Sequence, residues 1–288
     1  MACAQAILLS SRLESDREET RRRFEDGITL AERAGEVRLL AQLNTAYGAS
    51  IGTSFGDAHH YLKYCTEGAR LGAQVDYLEL EAMSGFFRLA ALVFAGDLIG
   101  ALRASDTLLE RLPDDPHFGA SITTVSPLLG TWIFRASALA SQGHLATACA
   151  LLREAEHRSV ANQLLETAGW ASWFLGIVVT FSGSLSEVRT SALRTATHHK
   201  HFDTQHTMVL TSFSAGLAQF VQGEPQPAIA SFEDALKIGH VKYSTRMFTP
   251  LTTSYRAEAH LAAGDHQSAH QHALNAIAFA EQNRNQWF

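Results

Sequence analysis

Apolar residues recur every three or four positions through most of the chain, the spacing of one helix face, and the register breaks at regularly placed glycines. Between Thr207 and Gln222 the residues Leu210, Phe213, Leu217, Phe220 and Val221 fall on one such face. Gly223 interrupts it. Glu224 and Pro225 then suit the start of a second helix, because proline's fixed φ and missing N–H are harmless in a first turn. Ala228, Ile229, Phe232, Ala235 and Leu236 continue as the apolar face of that second helix. Thr207 to Ile238 therefore reads as one helical hairpin, and a hairpin cannot bury its own apolar face unless others stack against it.

The unit recurs. Glycines between paired helical patterns stand at Gly56, Gly96, Gly143, Gly183, Gly223 and Gly264, with spacings of 40, 47, 40, 40 and 41. One further interval upstream falls on Ser15. Small residues keep step with most turns: Ala49, Ala136, Gly176, Gly216 and Ala257 lie seven positions before, with Leu8 and Leu89 as exceptions, and Gly27, Gly68, Ala155, Ala235 and Ala276 twelve after, with Leu108 and Thr195 as departures. Such residues let paired helices approach closely. The pattern predicts first helices near 2–13, 38–54, 78–94, 127–141, 167–181, 207–221 and 249–262. Second helices follow near 16–34, 57–71, 98–112, 145–157, 185–197, 225–238 and 266–281. The chain is expected to be all-α, one domain over 1–288, with about seven helix-turn-helix hairpins near 1–35, 36–73, 77–113, 126–158, 166–199, 206–240 and 248–282.

Capping chemistry agrees with this register. Asp16, Asp57, Asp97, Ser184 and Asp265 are expected N-caps, with Ser184 and Glu187 in capping-box spacing. Ser126-Pro127 and Thr249-Pro250 read as an N-cap followed by proline at the first helical position. The longest interval holds an irregular connection, Pro113 to Pro127, about seven residues longer than its counterparts. A plain insertion or a loop on a binding face would each account for it.

Composition narrows the function. A hydrophobic fraction of 46% against 18% charged residues describes a folded chain with ample core. The net charge of −6 argues against nucleic acid as a partner. The densest basic run, Arg17 and Arg21 to Arg23, is interleaved with acids and reads as a solvated helix face. Cys3, Cys65 and Cys149 lack any paired spacing and fit a reducing compartment. The N-terminal apolar patch has no basic region before it and reads as a helix, not a signal peptide. Thr167 to Ser186 carries no charge over 20 residues, long enough to span a bilayer. Its glycines and serines, and a turn where the repeat demands one, favour a buried helix with no membrane partner.

A small residue, a Gly-Asp or Gly-Glu turn, and further small residues five and twelve positions later form a pattern that resembles the tetratricopeptide repeat. Ala257, Gly264-Asp265, Ala269 and Ala276 carry it best, with Gly216, Gly223-Glu224, Ala228 and Ala235. The unit departs in length, being near 40 residues where that repeat has about 34. Longer units of this kind resemble the C-terminal helical arrays of large bacterial signalling ATPases, including those fused to nucleotide cyclases or to LuxR-type and MalT-like regulators. Arg88, Arg135 and Arg256, each eight residues before a turn glycine, and the helix Tyr255 to Asp265 point the same way. The resemblance implies a right-handed α-solenoid, a bacterial cytoplasmic location, a protein or peptide segment as ligand, and an attached or partner ATPase or cyclase domain. Gly-Lys-Ser/Thr is needed for a phosphate-binding loop, and none of Lys63, Lys200, Lys237 and Lys242 follows a glycine.

No nucleophile elbow, dinucleotide loop or zinc-ribbon spacing appears, so neither catalytic activity, nor a cofactor, nor a metal is expected. His260, His266, His270 and His272, and the group His198-His199-Lys200-His201 with Asp203 and His206, fit solvated helix faces and loops without completing a metal signature. What remains is a surface. The resemblance places the first helices on a concave wall, with Met83, Phe86, Trp170, Trp173, Leu210, Phe213 and Leu251 on it, unless helix rotation turns them into the core between repeats. Arg88, Arg135 and Arg256 either pair with acids of neighbouring helices or face the groove. The candidate binding set is Phe86, Arg88, Arg135, Trp170, Trp173, Leu210, Phe213 and Arg256, the function that of an interaction or regulatory scaffold, and the alternative a small-molecule sensor using the same wall. The uncapped apolar ends lead us to expect a fragment of a longer protein or an array that self-associates through its ends.

Overall fold

A computed structural model describes residues 7, 16–123, 125–202, 204–241 and 245–287. The helix expected over 2–13, the upstream turn at Ser15, Cys3 and Asp203 lie outside this set, apart from Ile7, which is helical and buried. The first described helix, α1 (Arg17–Ala34), is the second half of hairpin one. Six hairpins follow: α2 (Val37–Phe55) with α3 (Ala58–Gly72), α4 (Leu78–Phe94) with α5 (Leu98–Arg111), α7 (Pro127–Ser141) with α8 (Leu145–Ala161), α9 (Leu165–Ser182) with α10 (Leu185–His199), α11 (Gln205–Val221) with α12 (Pro225–Val241), and α13 (Thr249–Ala262) with α14 (His266–Asn283). The long connection folds into a single turn, α6 (Ala120–Thr123), which packs on α4 with Thr123 and Val125 buried. It is a filled corner of the scaffold. A 3-10 turn, Arg246–Phe248, precedes α13.

Each of the six turn glycines adopts φ between 74 and 86°, the left-handed region. A side chain there would clash with its own carbonyl, so glycine is what permits the reversal. Asp16, Asp57, Asp97, Asp265 and Ser126 accept hydrogen bonds from main-chain N–H groups three residues on, as N-caps should. Two capping expectations fail. Ser184 makes no side-chain cap bond, and Glu187, its supposed partner, is instead held by Arg153 of the preceding hairpin at 2.8 Å. Thr249 is already inside α13, whose N-cap is Phe248, while Thr204, unremarked in the sequence, caps α11.

The hairpins form two layers. First helices touch one another along the array, α2 to α4, α4 to α7, and onward to α13, and each second helix packs on its partner and on the next first helix. Burial follows this order. From Thr167 to Val179 of α9 every residue except the half-exposed Trp170 is buried, whereas α10 buries only Val188, Ser191, Thr195 and His199. The uncharged run of α9 is thus explained by contact on all sides, and among the described residues no helix is long and apolar enough to cross a membrane.

The curvature brings distant hairpins together. The tip of α2 at Gly56 lies so close to the carbonyl of Arg246 and the ring of Phe279 that an added Cβ would sit 3.1 Å from each. Arg284 Nη1 is 3.3 Å from His59 Nδ1. The array therefore bends round on itself, and what lies inside the curve is enclosed.

Candidate functional site

Inside the curve the first helices present a continuous set of rings. Phe94 of α4, Phe134 of α7 and Phe174 of α9 follow one another edge to face, with centroids 5.9 and 5.6 Å apart. Phe86 lies 5.9 Å from Phe134, and Trp173 lies 5.4 Å from Phe213 and 4.6 Å from Phe248. Edge-to-face and tilted pairs use the positive ring edge against the negative face, each adding about 1 kcal/mol beyond the area buried. At the centre is a cavity of ≈ 30 Å³ lined by Phe86, Trp170, Trp173, Leu210, Met247 and Phe248, among others. That volume holds about one water. The indole N–H groups of Trp170 and Trp173 are buried there without an acceptor among the described residues, and His206 stacks at 5.2 Å from Trp170 while facing Thr245 Oγ1 at 3.3 Å.

Two stretches of the chain itself lie inside the curve. One is Arg246–Phe248. The other follows α14: Arg284 turns the chain with φ 50°, Asn285 donates from Nδ2 to the carbonyl of Met247 at 2.8 Å, and the N–H of Gln286 donates to the carbonyl of Phe94 at 2.9 Å. Trp287 then lies 5.2 Å from Phe94 and 5.4 Å from Phe174.

The residues singled out from sequence separate into two groups. Phe86, Trp170, Trp173 and Leu210 meet at the cavity, and Phe213 backs Trp173 from α11. The arginines do not join them. Arg135 reaches outward to Asp106 at 2.6 Å and to Ser105 at 2.5 Å, tying α7 to α5. Arg256 places Nη2 2.8 Å from His272 Nδ1 of α14, and Arg88 lines a shallow cleft with Glu81 and Arg103. Sequence reading missed Phe94, Phe134, His206, Phe248, Asn285 and Trp287. A signal did exist for Trp287, an aromatic residue following the polar run Glu281 to Gln286.

The titratable groups offer little reactivity. Burial pushes the thiols of Cys65 and Cys149 up, so both stay protonated and unreactive at neutral pH. His199 is lowered to about 4, chiefly by burial and then by His198. Burial lowers His272 as well, with Arg256 adjacent, which disfavours a cation beside it. Among the described residues no three His, Cys, Asp or Glu side chains gather closely enough to hold a metal. The arrangement is suited to apolar and aromatic contact with a few hydrogen bonds.

No family model matches the chain, and no curated protein matches it. Solved structures do. A Rap protein complexed with the Competence and Sporulation Factor aligns with TM-score 0.66 at 10% identity, covering 93% of this chain and 73% of the Rap chain. The Rap conjugation gene regulator of plasmid pLS20, in complex with the Phr* peptide, gives 0.57 at 11%, covering 88% and 77%. BtubC (BKLC) from P. vanneervenii gives 0.52 at 16%, covering 80% and 91%. At such identities the likeness is one of fold: a tetratricopeptide-like helical array.

Proposed function

We propose that the chain is a non-catalytic, single-domain scaffold whose concave channel binds an extended protein or peptide segment, serving in the bacterial cytoplasm as the helical-repeat part of a larger signalling ATPase or transcriptional regulator. The observation that carries this reading is that the channel already receives a non-helical segment, Asn285 to Trp287, through a carboxamide hydrogen bond to Met247, a main-chain hydrogen bond to Phe94 and an aromatic anchor. Grooves that accept peptides work in this way, with main-chain bonds for affinity and side-chain sites for choice. That two Rap structures were obtained with a factor and with a peptide is consistent with it. Phe86, Trp170, Trp173, Leu210 and Phe213 supply the binding surface on this reading, while Arg135 and Arg256 tie neighbouring helices together and Arg88 lines a separate cleft.

The sensor alternative draws support from the two unsatisfied indole donors. Against it stands the volume: small-molecule sites run to about 300 to 1,000 Å³, and the enclosed space is ≈ 30 Å³. A segment that replaces the chain's own residues needs no such preformed void.

Selection from a random peptide library followed by amide hydrogen exchange tests the proposal. Binding peptides are expected to slow exchange in Leu165–Ser182 and Gln205–Val221. Protection confined to the second helices would overturn it, as would turnover of nucleotide by the chain alone.

A further inference from the structure

The segment inside the curve is entered through backbone in the left-handed region. Its entry residue, Arg284, caps α14 at φ 50°, the left-handed region in which the six turn glycines also lie. A side chain in that region crowds the backbone in a way that glycine avoids. Thr245, which leads into the opposing Arg246–Phe248 turn, is held at φ 64°, and a β-branched residue tolerates this worse. Both strained positions flank the one place where the array closes on itself. Gln286 is exposed, Trp287 is half-buried, and only Asn285 is deeply placed, at 2% exposure.

Nor does the segment satisfy the channel. Trp173 is 2% exposed, and its indole N–H, like that of Trp170, has no acceptor among the described residues beside a residual cavity. A donor buried without a partner loses its hydration and gains nothing in return, so an occupant that brings carbonyl oxygens to these two groups has an advantage the present one lacks. What the segment does use is specific: the Asn285 carboxamide on the Met247 carbonyl, a main-chain N–H on the free carbonyl at the end of α4, and an indole between Phe94 and Phe174.

We infer that residues 285–287 occupy the channel as a displaceable stand-in, and that the ligand is a peptide segment bearing a carboxamide side chain two positions before an aromatic one. This rests on the peptide-binding reading above and adds the ligand's chemistry and the competitor it must displace. A weakened internal occupant raises the apparent affinity of an external one in proportion to the fraction of channel set free.

The probe is a fluorescein-labelled synthetic peptide copying residues 281–288, titrated into the full chain, Trp287→Ala and Asn285→Ala by polarisation. Asn285→Ala removes one hydrogen bond and little packing, so it reports even if Trp287→Ala folds poorly. Either variant is expected to bind the probe about tenfold more tightly than the unaltered chain. A probe with alanine at the asparagine and tryptophan positions is expected to lose that binding. Equal affinity for all three chains, or retention by the doubly substituted probe, would overturn the inference. So would a dimer of the unaltered chain that dissociates in Trp287→Ala, since the segment would then belong to a second copy. If this probe fails while library peptides still protect α9 and α11, the inference falls and the peptide-binding reading stands.

Discussion

The imidazole of His199 lies directly over the α-carbon of Gly169, so that a Cβ built on the glycine would overlap the ring. The two residues join α9 to α10 at the end of the hairpin away from Gly183. Seven residues further along the same helix, Gly176 faces only the Cβ of Ser191 at 3.5 Å, an ordinary contact. Two glycines on one helix thus differ in purpose. Gly169→Ala must displace the ring and is expected to destabilise the chain by about 2 kcal/mol. Gly176→Ala fills space that is open and removes glycine's helix penalty, so a gain of up to about 1 kcal/mol is expected. Urea denaturation of both variants checks the pair, and a loss at both positions would mean that the close approach extends along the whole helix.

His199 also sets a pH dependence. Its folded value, about 4, is below the ordinary 6.5 because burial and the neighbouring His198 disfavour the charged ring. The unfolded chain binds more protons between these values. Stability is therefore complete above about 6.5 and is lost as pH falls toward 4, by about 3 kcal/mol in all. Burial lowers His240 and His272 too, so the slope belongs to several groups. The difference between the parent and His199→Leu isolates one of them: the variant is expected to lose stability less steeply from pH 6.5 to 4, and parallel profiles would remove His199 from the account.

Helix positions were legible because each depends on a few adjacent residues. The turn at Gly223 requires a positive φ that glycine supplies, and the face through Leu210, Phe213 and Leu217 requires only a local period. The inner aromatic surface was half legible. Spacing placed Phe86, Trp170, Trp173 and Leu210 on first helices, and all four line the cavity. Spacing said nothing of how far the array bends, because small rotations at each hairpin accumulate before Gly56 can meet Phe279. The pairing of Gln286 with Phe94 follows from that sum and from no local pattern. The arginines show the same limit: their register in the repeat was real, yet Arg135 reaches Asp106 because α5 lies beside α7.

The caps separate by the same logic. Asp97 accepts from the N–H of Gly100 at 2.9 Å, satisfying one of the donors a helix start leaves open, and Asp97→Ala is expected to cost about 1 kcal/mol. Ser184 occupies the equivalent place without such a bond. Ser184→Ala should change the thermal midpoint hardly at all, and Glu187→Gln should weaken the link to Arg153 between hairpins more than it weakens α10 itself. Thermal unfolding of the three variants followed by circular dichroism gives the order directly. A large loss at Ser184 would restore the capping box.

Closure of the array can be tested without touching the segment that closes it. Gly96 and Gly143 share a left-handed backbone, at φ 78 and 86°, so alanine at either strains the turn by about 1 kcal/mol. Their surroundings differ. Nothing lies within 4 Å of a Cβ at Gly143, whereas at Gly96 it would sit 2.8 Å from the Cβ of Gln286. Gly96→Ala therefore adds pressure on residues 285–287 to a strain that Gly143→Ala reproduces alone. The bond after Arg284 is a trypsin site, and a segment fixed by hydrogen bonds to Met247 and Phe94 resists the extension that cleavage requires. Mass spectrometry during brief digestion is expected to show faster cutting after Arg284 in Gly96→Ala than in Gly143→Ala, with the latter close to the parent. Equal rates in the two variants would mean that Gln286 moves aside at no cost, and that the channel is open for most of the time in the unaltered chain.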